Sequence, residues 1–127
     1  MLAIPKVMKH KPRKREGMSE KHLEMIRQLP CVVTGRRPVE AHHLLRGPSV
    51  VRGIGIKAED KWAIPVHPEV HHEIHALGND QAYLEKHGIN GTSLAQDLWN
   101  MSGDFTAMSR IVERYHQISR RHGWGLR

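Results

Sequence analysis

Cysteine is nearly absent from this chain. Cys31 is the single one, which excludes an internal disulfide and suits a reducing compartment. No apolar run approaches the roughly 18 residues that a membrane-spanning helix needs. The N-terminus places basic residues after a short apolar start, the reverse of a secretory signal. Export and membrane spanning are therefore not expected, and the cytoplasm is. Internal repeats and low-complexity tracts are also missing. What is present, 127 residues at 39% hydrophobic and 26% charged, fits one soluble domain with one small core. The formal charge of +7, with histidine counted neutral, favours an anionic partner. Much of that excess is local, because Lys6, Lys9, Lys11, Arg13, Lys14 and Arg15 stand against Glu16 alone.

Residues 1–17 carry Pro5, Pro12 and Gly17 among these cations without a sustained apolar period, and read as a basic arm ahead of a single domain over 18–127. Ser19 is a plausible N-cap for a helix whose apolar face runs through Leu23, Met25, Ile26 and Leu29 to a stop at Pro30. Cys31–Val33 reads as a short strand and Thr34–Pro38 as a turn. Val39–Leu45 then returns as the second strand of a hairpin. The stretch from Arg46 to Asp60, with Gly47, Gly53 and Gly55, reads as a long loop, and loops of that length tend to be functional. Trp62–Val66 is strand-like, and Pro68 suits the first position of a helix ending near Gly78. Three further helices are expected: one capped by Asn79 or Asp80 and closing at Gly88, one led by Ser93, and one led by Asp104. Their Met and aromatic positions read as packing core.

Six of the 11 histidines fall between positions 42 and 75. Ala41-His42-His43 is followed by His71-His72-Glu73-Ile74-His75, where His71 and His75 stand four apart on the expected helix. Residues at that spacing share a helix face, so both imidazoles can close on one ion. A histidine pair on one element and an i, i+4 pair on another supply three neutral nitrogen ligands and one spare imidazole. That is the inventory of a one-metal phosphodiesterase with a ring left over to act as base.

The order strand, turn, strand ending in His-His, long loop, then helix with His-x-x-x-His resembles the ββα-metal (HNH) endonuclease family, as found in colicin DNases. Within it the likeness is to small phage and prophage HNH-type proteins such as the recombination-enhancement (Ref) nuclease. The phrases that carry it are Leu29-Pro30-Cys31-Val32-Val33-Thr34-Gly35, Val39-Glu40-Ala41-His42-His43, Gly53-Ile54-Gly55-Ile56-Lys57, and Ile64-Pro65-Val66 leading to His71-His72-Glu73-Ile74-His75. The resemblance implies an α+β fold with a ββα-metal core over 29–78 and a helical extension over 79–127. It implies that His43 is the general base and that His42, His71 and His75 hold one divalent metal ion, magnesium or manganese for activity, with zinc or nickel able to occupy the site. The Asn that names the motif is missing from its usual place, and Asp60 takes its role of tying the loop and orienting His43. The structural zinc of many HNH proteins uses two Cys-x-x-Cys pairs, which correspond here to Cys31 and Thr34, and to His67 and Val70. Only Cys31 and His67 remain ligand types, and two ligands cannot close a tetrahedral site, so no structural zinc is expected and Cys31 reads as a small buried hydrophobe.

The expected activity is metal-dependent hydrolysis of DNA phosphodiesters, in recombination or processing, by a phage or prophage protein in a bacterial host cell. DNA is the expected partner, and the likeness raises a host recombinase as another. Lys9, Lys11, Arg13, Lys14 and Arg15 of the arm are expected to contact phosphate, with Arg46 and Lys57 beside the glycine-rich loop. His72 should point about 100° away from His71 around the helix, outside the ligand set and toward phosphate. Any one of these residues alone is more simply a solvated or core-edge side chain. The alternative function is a non-catalytic module in which the same histidines hold a metal and the arm grips nucleic acid.

Overall fold

The structure is a computed structural model and describes residues 17–46 and 58–122. Residues 1–16 of the basic arm, Lys57 and most of the glycine-rich loop lie outside the described residues.

Helix α1 (Glu20–Arg27) starts where expected, with the Ser19 hydroxyl accepting from the His22 N–H at 3.1 Å. It buries Leu23 and Ile26. The chain then departs from the expected strand at Cys31–Val33. Cys31, Val32 and Val33 are completely buried, but they form a turn closed by Gly35 N–H to Cys31 C=O at 2.8 Å and Cys31 N–H to Arg36 C=O at 2.9 Å. Gly35 sits at φ +76°, a conformation that favours glycine. Three apolar residues fit a buried turn as readily as a strand, and here the turn also donates one hydrogen bond, from Val32 to the Pro65 carbonyl at 3.1 Å.

The strand expected at Val39–Leu45 consequently pairs with the one expected at Trp62–Val66 and not with Cys31–Val33. Strand β1 (Glu40–His43) pairs antiparallel with β2 (Ala63–Val66), in the register Glu40 to Val66 and His43 to Ala63. A 3-10 helix at Asp60–Trp62 leads into β2, which is buried along its whole length. Pro65 is tolerated there because its carbonyl still finds a partner although it has no N–H to give.

Helix α2 (Pro68–Leu77) begins with Pro68 in its first turn and ends at Gly78, whose φ of +81° makes the left-handed cap. Helix α3 (Asp80–Lys86) is capped by Asn79, whose Oδ1 accepts from Ala82 N–H at 3.0 Å. Helix α4 (Gly91–Asn100) starts earlier than the expected lead by Ser93. Asn90 is the cap and accepts from the Ser93 N–H at 3.1 Å, so Ser93 is inside the first turn. Gly91 packs closely, since a Cβ there would lie 2.8 Å from Leu84 Cδ1 and the leucine would have to shift. Helix α5 (Phe105–Arg121) is capped by Asp104 and buries Met108, Ile111 and Val112. The fold is thus α+β: a two-stranded antiparallel sheet among helices. Its core joins α1, the 31–33 turn, β2 and α4 through Ile26, Leu29, Ile64, Leu94 and Leu98. Among the described residues no helix is long and apolar enough to cross a membrane.

Candidate metal centre

Strand β1 sends alternate side chains to opposite faces. Glu40 and His42 share the face that α2 covers, and Ala41 and His43 share the other. On α2, Val70 and Ile74 anchor the buried side, and His71 and His75, one turn apart, flank His42. The ring centroids are 5.0 Å apart for His42 and His71, 6.1 Å for His42 and His75, and 4.7 Å for His71 and His75. One nitrogen from each of the three lies within 4.8 Å of the others, a grouping able to hold a metal ion. All three ligands inferred from the sequence are therefore brought together.

The donor set fits a divalent ion for a second reason. His42 Nε2 lies 3.0 Å from Asp80 Oδ2, and His71 Nδ1 lies 2.6 Å from Glu40 Oε1. Each carboxylate occupies one ring nitrogen and leaves the other for coordination. Such carboxylate–imidazole contacts set the tautomer and orientation of metal-binding histidines. Burial pushes the Asp80 carboxyl up, but hydrogen bonds from the His42 ring and the Leu45 N–H outweigh it and hold the group below the usual carboxylate range.

His43 turns away from this cluster. Its Nε2 lies 2.9 Å from Oδ1 of Asp60, and Asp60 Oδ2 accepts from the Ser19 N–H at 2.8 Å. Asp60 is buried at 6% exposure, while the His43 side chain keeps 27% of its surface open. The carboxylate is fixed at the start of the 3-10 helix by the backbone of α1's cap, so the imidazole it holds is fixed too. With Nε2 engaged, Nδ1 is the nitrogen left to take a proton.

Arg46 is exposed and lines a cavity of about 310 Å³ together with His75, Asn79 and Asp80. Arg46 and His75 thus share the lining of one cavity. His72 is exposed over Pro68, Glu69 and Glu73, away from the cluster, as its position on the helix demands. Cys31 is fully buried, with its Sγ accepting from the Thr34 N–H at 3.3 Å. His67 is spent as the α2 cap, its Nδ1 accepting from the Glu69 N–H at 3.1 Å.

Three residues of this neighbourhood were not singled out as site residues in the sequence. Glu40 and Asp80 lie 31 and 38 positions from the histidines they hold. Nothing local marks either one, and Asp80 reads equally as a helix cap. His22 is completely buried, with Nδ1 2.8 Å from Ser102 Oγ and its ring edge-on to Trp99 at 4.9 Å. Burial lowers its pKa below the ordinary value of 6.5, against an opposing pull from Asp60.

Fold and site define an α+β protein with a three-histidine cluster able to hold a metal ion. The chain belongs to the family described as Protein of unknown function (DUF968), which matches residues 3–102. The match takes in the three histidines, His43 and Asp60, and stops short of α5. No curated protein and no solved structure matches the chain.

Proposed function

We propose that this protein is a metal-dependent endonuclease of the ββα-metal (HNH) type that hydrolyses DNA phosphodiester bonds. The observation that carries the reading is the pairing of a three-imidazole cluster with a fourth imidazole, His43, which is the next residue of the same strand and is oriented by a buried carboxylate. A purely structural metal site is closed by four ligands and has no use for an adjacent base. Three histidines leave coordination positions open, and the element order β1, β2, α2 agrees with the ββα arrangement.

His42, His71 and His75 would hold the ion. When bound, it supplies positive charge that stabilises the phosphodiester transition state and the departing 3′ oxygen. His43 does the proton work. Nδ1 can accept a proton from water as the water oxygen adds to phosphorus and the P–O3′ bond breaks. Asp60 holds Nε2 as the donor nitrogen, which leaves Nδ1 as the acceptor, and is itself fixed by the backbone at the start of α1. Arg46 at the cavity edge and the arm's cations attract the anionic backbone.

The test is plasmid nicking with magnesium or manganese, with and without EDTA. Metal-dependent nicking that EDTA abolishes is expected. Metal and DNA binding with no cleavage under any divalent ion would instead identify a non-catalytic binding module.

A further inference from the structure

The side chain of Asp80 is 1% exposed, yet it belongs to α3, outside the β1–β2–α2 unit that carries the histidines. Its Oδ2 does two things at once: it accepts from His42 Nε2 at 3.0 Å and from the Leu45 N–H at 2.6 Å. Its Oδ1 is buried without a hydrogen-bond partner. The two Oδ2 contacts stabilise the carboxylate in its buried place, and an ion on the other nitrogen of His42 would add positive charge through the ring.

We infer that Asp80 is a positioning residue for the metal centre, selecting the Nδ1-coordinating form of His42 and locking its rotamer by clamping the exit of β1 at Leu45. The inference rests on the metal reading of the three histidines, not on DNA cleavage. The corresponding contact to His71 is weaker in kind. The Glu40 side chain is 52% exposed, so water competes for and screens its carboxylate. Tyr83 contributes on the same side, its hydroxyl donating to Glu73 Oε1 at 2.5 Å and tying α3 to α2, so that Asp80 and the helix of His71 and His75 are held in one frame.

The experiment is calorimetric titration of metal-free protein with Co(II), together with the visible absorption spectrum of the Co(II) form and far-UV circular dichroism. Asp80→Asn should keep the wild-type dichroism, bind Co(II) about 10–100-fold more weakly, and shift the Co(II) absorption bands, because loss of an outer carboxylate typically costs that much affinity. Glu40→Gln should lose less. A residue with only a structural role would lower the melting temperature of the metal-free protein and leave the Co(II) bands alone. Wild-type affinity and an unchanged spectrum in Asp80→Asn overturn the inference. If that variant does not fold, Asp80→Glu keeps the charge but displaces the carboxylate by a methylene, and is judged by the same two readouts. Failure of the wild-type chain to bind Co(II) removes the metal reading itself, which separates that failure from this one.

Discussion

His43 and Asp60, 17 positions apart in sequence, meet at 2.9 Å between Nε2 and Oδ1. The carboxylate is held on its other side by the backbone of Ser19, and so the imidazole is oriented by a group that cannot itself turn away.

From this comes the first prediction. His43→Ala should abolish nicking, a loss of about 10²–10⁴-fold as for other general bases, while Co(II) affinity stays near wild type because His43 is not among the ligands. Asp60→Asn should slow turnover less and also leave metal affinity unchanged. Calorimetric titration and nicking on the same samples check both. Wild-type turnover in His43→Ala would mean that the base lies elsewhere.

The ligand set makes a second, opposite pattern. His71→Ala and His75→Ala each remove one of three imidazoles, so metal affinity and nicking should fall together. His72→Ala, exposed beside Glu69 and Glu73, should change the affinity little. A His72→Ala variant that loses metal as severely as His71→Ala would show that the helix presents a different face to the ion.

What could be read in advance was what is encoded among neighbours. Ser19, Pro68 with Gly78, and Asp104 mark helix ends through hydrogen bonds and backbone angles a few residues in range, and each stands where expected. The three clustered histidines were legible for the same reason, since a His-His pair and an i, i+4 pair are local patterns. The partner of β1 was not. Cys31–Val33 is adjacent in sequence and apolar enough to pair, yet Ala63–Val66 takes the register and leaves the nearer segment as a buried turn. Asn90 takes the place of Ser93 as the cap of α4, since both are capping residue types and local sequence does not choose between them. The carboxylates on His42 and His71 come from sequence-distant positions, which no periodicity announces.

A third prediction concerns His22, buried with Nε2 lacking a partner. Burial depresses its pKa in the folded protein below the ordinary value of 6.5. The unfolded chain therefore binds a proton that the folded one refuses. Stability from this group is complete above pH 6.5 and is lost as pH falls below it, with a slope of at most about 1.4 kcal/mol per pH unit. Metal-free protein in EDTA should melt at progressively lower temperature between about pH 7 and 5, and His22→Gln should flatten that dependence. An equal slope in the variant would assign the effect to other histidines.

The last prediction separates affinity from chemistry. Lys9, Lys11, Arg13, Lys14 and Arg15 lie outside the described residues, but their charge density suits phosphate contact and they include no base or ligand of the proposed mechanism. Removing residues 1–16 should weaken DNA binding and flatten its salt dependence, because each lost phosphate contact lowers the slope of log K against log salt by about 0.9 on duplex DNA. Turnover at saturating DNA should survive, since His43, Asp60 and the three histidines are all retained. The measurement is binding across a salt series for full-length and shortened chains, paired with nicking at high substrate. An unchanged slope would show that the arm does not touch the backbone, and loss of turnover at saturation would place it within the active site.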